Sequence, residues 1–118
     1  INNATLLIVM LETEEAVANA EAMAAIDGID ALLFGTNDLT IEMGIPGQVG
    51  DARVQKHYEN AAAACAKHGK FLGMGGVYDP AVMEDYVAMG ARLILAGNDF
   101  PFLMKAAKEQ ADIVRGMG

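Results

Sequence analysis

Four short apolar runs are spaced along the chain, and each is followed by a stretch with helical periodicity. The runs are continuous rather than alternating, a pattern typical of strands buried on both faces of a parallel sheet. They span Leu6–Leu11, Ala31–Phe34, Phe71–Met74 and Leu93–Ala96. The order strand, helix, strand, helix predicts an α/β fold built from four βα units.

Capping residues, prolines and glycines predict where the helices begin and end. The predicted helices run from Thr13 to Gly28, from about Asp51 to Lys67, from Asp79 to Gly90, and from about Pro101 onward. The segment from Gly44 to Gly50 contains three glycines and a proline, and it predicts a loop.

One part of the sequence resembles another. The stretch from Gly28 to Asp38 and the stretch from Gly90 to Asp99 both combine a helix stop, an apolar strand, a glycine and Asn-Asp. Repeated βα units build parallel sheets or barrels, and four units are half of an eight-stranded barrel. Because four units alone would leave two sheet edges unpaired, we expect either a missing second half or close pairing with another chain.

The composition is that of one globular domain over residues 1–118, with 53% hydrophobic residues and a net charge of −8. This charge, with scattered Lys and Arg, argues against nucleic acid and anionic membranes as partners. No apolar run approaches the roughly 18 residues of a membrane span, and no signal peptide is visible. The single cysteine, Cys65, is expected to be buried and suits a reducing cytoplasm. The start at Ile1 suggests a processed, trimmed or partial polypeptide.

Two carboxylates, Glu12 and Asp38, directly follow the first two predicted strands. Ligands of α/β folds bind at the carboxyl ends of the strands, and a carboxylate buried there is costly without a partner. Two such oxygen donors, with no His or Cys at matching spacing, favour Mg²⁺ or Mn²⁺ over a structural zinc ion. The alternative is that both residues only cap the helices that follow.

Glycines also mark the ends of two strands. Gly35, Thr36, Asn37 and Asp38 predict a tight turn whose free N–H groups would favour a carboxylate or phosphate, although an ordinary βα turn explains the same glycine. The stretch from Gly73 to Gly76 would let a ligand approach the backbone, or simply turn the chain.

Three further polar residues are candidates of lower interest. Asp99 follows the last strand, and we expect it to cap a helix rather than to bind a ligand. His57 and His68 both fall on the second long helix, away from the strand ends, where surface or packing roles are expected.

The sequence around both acids resembles the metal-dependent (class II) pyruvate aldolases of the HpcH/HpaI type. The consensus sequence of the family is Glu-Thr-x-Glu-Ala followed by Gly-Pro-x-Asp-Leu-Ser, and the spacing between Glu12 and Asp38 agrees with that of the family. The resemblance covers nearly all 118 residues. The matching stretches are Met10–Ala16, Gly28–Asp30, Phe34–Thr40, Gly44 with Pro46-Gly47, Gly69-Lys70 and Gly97–Asp99.

The resemblance implies a TIM-type (βα)8 barrel of which this chain supplies the last four units. Glu12 and Asp38 would bind a divalent metal ion, namely Mg²⁺, Mn²⁺ or Co²⁺. Gly35, Thr36, Asn37 and Asp38 would form the substrate site, where backbone around the first three would hold the carboxylate of pyruvate. The metal would stabilise the pyruvate enolate, which adds reversibly to an aldehyde; the reverse reaction is retro-aldol cleavage of 4-hydroxy-2-oxo acids.

The chain departs from the consensus sequence of the family and lacks part of the expected site. Thr36 stands in place of the usual proline, and Thr40 in place of the usual serine. The general-base histidine and the enolate-stabilising arginine of the family come from the N-terminal half, and neither His57 nor His68 fits that role. We therefore expect no catalytic residue in this segment and no turnover without the other half.

The resemblance also implies a homohexamer, in which the last helix, from about Phe102 to Arg115, packs on a neighbouring subunit. Three alternatives stay open. One is a CoA-ester lyase of the same superfamily, of the citrate lyase β or malyl-CoA type. The second is a decarboxylase resembling macrophomate synthase, and the third is a non-catalytic half-barrel that mediates assembly. Binding of acyl-CoA or of pyruvate would discriminate among them.

Overall fold

The structure is a computed structural model that describes residues 4–118. Its elements are β1 (Ile8–Leu11), α1 (Glu14–Ala18), α2 (Ala20–Ala24), β2 (Ala31–Gly35), α3 (Thr36–Glu42), α4 (Ala52–His68), β3 (Phe71–Gly75), α5 (Pro80–Met89), β4 (Ala91–Ile94) and α6 (Asp99–Arg115). The predicted α/β fold with four strands is confirmed for this part of the chain.

The four strands form one parallel sheet in the order β1-β2-β3-β4. At the carboxyl ends of the strands, Leu11 is paired with Phe34, and Gly35 is paired with Gly75. Since all strands run in the same direction, the residues that follow β1, β2 and β3 come together at one edge of the sheet.

A hydrophobic core lies between one face of the sheet and helices α1 to α5. Three aromatic rings stack at its centre, one from the sheet, one from α4 and one from α5. The ring of Tyr58 lies 3.9 Å from that of Phe34 and 3.7 Å from that of Tyr86, measured between centroids. All three side chains are fully buried, so the stack joins β2 to both helices.

The opposite face of the sheet is open. Ile8 and Phe71 line a concave apolar surface there, and Phe71 is 59% exposed. β2 is buried as predicted, but the prediction that every strand is buried on both faces is wrong for β1, of which only Leu11 is buried. The physical reason is that nothing else in residues 4–118 packs over this side.

Several boundaries differ from the predictions. The first predicted helix is divided at Asn19, whose side chain donates a hydrogen bond to the carbonyl of Glu15. β1 begins at Ile8 rather than at residue 6, and β4 covers Ala91–Ile94 rather than 93–96. The predicted tight turn at 35–38 is also wrong, because β2 passes directly into α3.

The caps of the two central helices are confirmed. Asp51 accepts a hydrogen bond from the N–H of Arg53 at the start of α4, and Gly69 ends that helix in the left-handed conformation, with φ of 66°. Asp79 caps α5 through the N–H groups of Ala81 and Val82. The predicted loop from 44 to 50 is confirmed as well.

The last helix, α6, begins at Asp99, two residues before the predicted start, and buries none of its residues. Its exposed apolar side chains include Phe102, Leu103, Met104 and Val114. Among the described residues, no helix is long and apolar enough to cross a bilayer.

Candidate metal and substrate site

A small pocket of about 150 Å³ lies at the carboxyl ends of β2 and β3. Its walls come mainly from the β2–α3 junction and from the glycines at the end of β3. The lining residues are Met10, Phe34, Gly35, Thr36, Asn37, Asp38, Gly75, Gly76 and Leu95. All four predicted substrate-site residues, Gly35 to Asp38, therefore belong to one pocket.

Glu12 follows the neighbouring strand and lies against Gly35, which lines this pocket, although Glu12 is not itself a lining residue. It follows Leu11, the last residue of β1, and its side chain lies across the backbone of Gly35. A Cβ on Gly35 would lie 2.6 Å from Cγ of Glu12 and 2.8 Å from Oε1, closer than any real contact. The missing side chain of Gly35 therefore creates the room in which the Glu12 carboxylate lies.

Asp38 lies in the first turn of α3, on the wall of the same pocket, and it is exposed. Glu12 is half-buried. Glu12 thus lies against Gly35, and Asp38 follows Gly35 by three residues, although the two predicted metal ligands belong to different βα units. We see no hydrogen bond by which Asp38 caps α3, whose N-cap is Gly35.

The donor set fits a hard divalent cation. Both candidate ligands are carboxylates, and Mg²⁺ commonly takes one or two carboxylates and completes its octahedral shell with water and substrate oxygens. Within residues 4–118, no group of three or more His, Cys, Asp or Glu side chains is placed to hold a metal ion. Glu12 and Asp38 would therefore need ligands from water, from the substrate or from another part of the protein.

The second wall of the pocket is bare backbone. A Cβ on Gly75 would lie 3.1 Å from the carbonyl oxygen of Phe34 and 3.2 Å from Cδ1 of Leu95. Gly76 has a φ of 78°, and a Cβ there would lie 3.0 Å from the side-chain nitrogen of Asn37. A side chain would be crowded at Gly75 and would strain the backbone at Gly76, so both positions favour a bare backbone that a ligand can approach.

Both threonines of α3 have buried hydroxyl groups with hydrogen-bond partners. The hydroxyl oxygens of Thr36 and Tyr58 are 2.7 Å apart and hydrogen-bonded. The hydroxyl of Thr40 donates to the carbonyl of Asn37 and accepts from the N–H of Gly47. Thr36 and Thr40, which depart from the consensus sequence of the family, thus attach α3 to α4 and to the loop from 44 to 50.

Tyr58 is the residue of this region that the sequence analysis did not single out as functional. Tyr58 is one of the buried residues of α4, and burial raises the pKa of its phenol well above the ordinary value. A buried phenol needs a polar partner for its hydroxyl group, and this requirement is the one signal that the sequence offered. It could not identify Thr36 as the partner.

The remaining candidates lie outside the pocket. The prediction that Asp99 caps the last helix is wrong, because the N-cap of α6 is Asn98 and Asp99 is the first helical residue; its carboxylate accepts a hydrogen bond from the N–H of Phe100. His57 lies 4.0 Å from a carboxylate oxygen of Glu14. His68 lies on the surface between α4 and α2, bonded to Glu21.

The Glu21 carboxylate also accepts a hydrogen bond from Lys67, and this bond and the one to His68 lower its pKa. Cys65 is buried as predicted, and burial raises the pKa of its thiol. None of these groups lines the pocket at the ends of β2 and β3.

The family model of the HpcH/HpaI aldolase/citrate lyase family matches residues 1–106. The chain therefore belongs to this family.

Curated relatives carry aldolase names. The chain is 35% identical over 113 residues to a 4-hydroxy-4-methyl-2-oxoglutarate aldolase of Hapsidospora irregularis, covering 94% of this chain and 42% of that protein. It is 35% identical over 105 residues to a hydroxypyruvate/pyruvate aldolase of Cupriavidus necator, covering 89% of this chain and 39% of that protein. The chain thus spans about two fifths of the length of these relatives.

The fold is shared with a solved HpcH/HpaI aldolase from Desulfitobacterium hafniense DCB-2. The TM-score is 0.85 at 27% identity, and the match covers 97% of this chain and 44% of the other. The predicted fold is confirmed: the four βα units are half of a TIM-type (βα)8 barrel.

Proposed function

We propose that this chain supplies the metal-binding and pyruvate-binding half of a class II aldolase. The reaction is the reversible addition of a pyruvate enolate to an aldehyde, or in reverse the cleavage of a 4-hydroxy-2-oxo acid. The observation that carries the proposal is the position of Glu12 against Gly35, at the pocket whose wall includes Asp38. Residues 1–118 are then one half-barrel without a separate second domain.

Glu12 and Asp38 are the proposed ligands of a divalent metal ion, which is Mg²⁺, Mn²⁺ or Co²⁺. Their support is that Glu12 lies against Gly35, that Gly35 and Asp38 line one pocket, and that both carboxylates provide hard oxygen donors. A cation bound there supplies Lewis-acid stabilisation of the negative charge that develops when the methyl group of pyruvate loses a proton.

The backbone of Gly35, Thr36 and Asn37 is the proposed binding site for the carboxylate of pyruvate. The first N–H groups of a helix have no partner within that helix, and here they belong to residues that line the pocket. Gly75 and Gly76 leave the opposite wall without side chains, so a three-carbon acid has room to lie against the backbone.

The groups that move the proton are not supplied by this segment. No histidine or arginine occurs among the described residues that line the pocket, and His57 and His68 lie elsewhere. We therefore assign the general base and the enolate-stabilising arginine to an N-terminal half-barrel, which would also cover the open apolar face of the sheet.

The names of the relatives support a class of 2-oxo acid as the substrate. The two relatives described above are named for cleavage of a hydroxylated 2-oxo diacid and for hydroxypyruvate/pyruvate chemistry. These names favour a 4-hydroxy-2-oxo acid as the substrate over a CoA ester. The CoA-ester lyase alternative rests on the words citrate lyase in the description of the family.

Two further features are proposed on narrower support. The exposed apolar side of α6 supports a homo-oligomer, for which we propose a hexamer, in which this helix packs on a neighbouring subunit. The single buried cysteine, which is free, is consistent with a reducing cytoplasmic location.

The test is deuterium exchange into the methyl group of pyruvate, followed by NMR on the complete barrel with and without Mn²⁺ or Mg²⁺. The unaltered protein should exchange only when the metal is present. Glu12→Gln should reduce the metal-dependent rate by about 100-fold or more, because a neutral amide is a weak ligand for a hard cation.

The matched control is Glu84→Gln, which makes the same chemical change on the exposed surface of α5. This variant should exchange at the unaltered rate. An unaltered protein that shows no metal-dependent exchange, or equal rates in both variants, would refute the proposed function and favour a non-catalytic half-barrel.

A further inference from the structure

A pair of hydroxyl groups lies buried directly beneath the pocket. Thr36 and Tyr58 are both fully buried, and their hydroxyl oxygens are 2.7 Å apart. Thr36 is the first residue of α3 and itself lines the pocket, whereas Tyr58 belongs to α4 and does not. The hydrogen bond therefore connects the pocket wall to a helix behind it.

Tyr58 is held in place independently of Thr36. Its ring lies between the rings of Phe34 and Tyr86, at interplanar angles of 16° and 5°. The hydroxyl of Tyr86 in turn donates to the carbonyl of Val49 in the loop before α4. Since the ring cannot shift without disturbing two stacked neighbours, the Tyr58 hydroxyl is a fixed point against which Thr36 is set.

The segment that Thr36 controls is short. Gly35, Thr36 and Asn37 are consecutive, and α3 begins within them without a side-chain cap. A glycine on one side leaves the backbone free to change conformation, so an external anchor decides where the N–H groups of this segment lie. Thr36 is the residue of this segment whose side chain is hydrogen-bonded to another helix.

We propose that Tyr58 is a positioning residue for pyruvate: through its hydrogen bond to Thr36 it fixes the backbone of Gly35–Asn37 in the orientation that receives the substrate carboxylate. This inference rests on the proposed function. It adds a residue on α4 that touches neither substrate nor metal and acts only through Thr36.

The experiment measures the rate of metal-dependent deuterium exchange as a function of pyruvate concentration in the complete barrel. Tyr58→Phe keeps the stacked ring and removes the hydroxyl. It should raise the KM for pyruvate by about three- to tenfold, the effect expected from the loss of one hydrogen bond, and should change kcat less. Thr36→Val should do the same, while Thr36→Ser should retain the low KM.

The matched control is Tyr86→Phe, which removes the hydroxyl of the neighbouring ring in the same stack. Its partner is Val49, which does not line the pocket. This variant should lower thermal stability but leave the KM for pyruvate unchanged. The combination Thr36→Val with Tyr58→Phe should be no worse than Thr36→Val alone, because both changes break the same bond.

A second readout does not depend on turnover. Amide hydrogen exchange of residues 39–41, whose N–H groups bond to the carbonyls of residues 35–37 in α3, should accelerate in Tyr58→Phe and in Thr36→Val, and should be unchanged in Tyr86→Phe. Equal KM values for the Tyr58 and Tyr86 variants, or additive effects in the combined variant, would overturn the positioning role of Tyr58 without affecting the proposed function. If the unaltered protein shows no metal-dependent exchange with pyruvate, the proposed function fails, and the role of Tyr58 fails with it.

Discussion

Gly35 is the residue on which the geometry of the site depends most. It has no side chain, and this is why the Glu12 carboxylate can lie over the end of β2. Any other residue there would place a Cβ in the space that Cγ and Oε1 of Glu12 occupy.

Gly35→Ala should therefore displace Glu12 and weaken Mn²⁺ binding by about tenfold or more, the range seen when the support of a metal ligand is removed. The measurement is a Mn²⁺ titration of the complete barrel, followed by the electron paramagnetic resonance signal of the free ion. Gly28→Ala is the control, because a Cβ at Gly28 meets no atom within 4 Å. Equal affinities in the two variants would contradict this role of Gly35.

The sequence predicted individual site residues where chain position alone decides their location. Glu12 and Asp38 follow apolar strands, and the carboxyl ends of parallel strands meet at one edge of a sheet. The bond between Thr36 and Tyr58 joins residues 22 positions apart on different helices. It depends on how α4 packs against β2, which no local pattern in the sequence reports.

At the scale of elements, the aromatic stack joins β2, α4 and α5 and places two phenols in the core. Burial raises the pKa of both Tyr58 and Tyr86 above the ordinary value of 10.0. The unfolded chain therefore releases these protons first as the pH rises. The contribution of the two protonated phenols to the free energy of unfolding is therefore complete below about pH 10 and is lost as the pH rises above it.

The free energy of unfolding of the complete protein should thus fall above pH 10, by up to about 1.4 kcal/mol per pH unit for each phenol. Urea unfolding between pH 9 and 11.5 measures this slope. Tyr58→Phe and Tyr86→Phe should each make it shallower, whereas Tyr78→Phe, which alters an exposed ring, should not. A slope that is the same in all three variants would show that the stacked phenols do not cause it.

The last helix, α6, exposes apolar side chains to solvent. Leu103 and Met104 are exposed on α6, which buries none of its residues. If this face packs on a neighbouring subunit, Leu103→Asp should weaken the association constant by about tenfold or more, since a buried leucine contributes about 1.5–3 kcal/mol.

Analytical ultracentrifugation of the complete protein measures this association. Lys105→Gln changes the net charge by the same amount on the opposite side of α6 and should leave the assembly intact. If Leu103→Asp assembles as the unaltered protein does, the apolar face of α6 is not a subunit contact.

Element boundaries were predictable where a single residue sets them. Asp51, Asp79 and Gly69 have the roles in helix ends that their chemistry suggests. The start of α3 was not predictable, because the helix begins at a residue whose hydroxyl is bonded to α4 and lacks a side-chain cap of its own. The division at Asn19 was missed because the apolar positions of the two short helices mimic one continuous helix.

At the scale of the whole molecule, four βα units make half of a barrel with two free sheet edges and one open apolar face. The strand-helix repeats predicted a parallel sheet or barrel with unpaired edges, and the resemblance to the aldolase family predicted the half-barrel. The exposure of Ile8 and Phe71 was not predicted, because continuous apolar strands describe the complete barrel rather than the half that this chain provides.

The 118-residue chain alone should therefore show no exchange of the pyruvate methyl protons and should self-associate through its open face. Co-expression with the N-terminal half of its own barrel should restore metal-dependent exchange in a purified complex. NMR of pyruvate in D₂O measures both samples. Exchange by the chain alone would contradict the assignment of the base to the missing half.

We propose above all that Glu12 and Asp38 together bind one divalent cation and that pyruvate binds to this cation. The most direct test is Mn²⁺ binding to the complete barrel, followed by electron paramagnetic resonance with and without pyruvate. We predict that Glu12→Gln and Asp38→Asn each weaken binding, that pyruvate strengthens binding to the unaltered protein, and that Glu84→Gln changes neither. Unchanged Mn²⁺ affinity in Glu12→Gln and Asp38→Asn would contradict the claim.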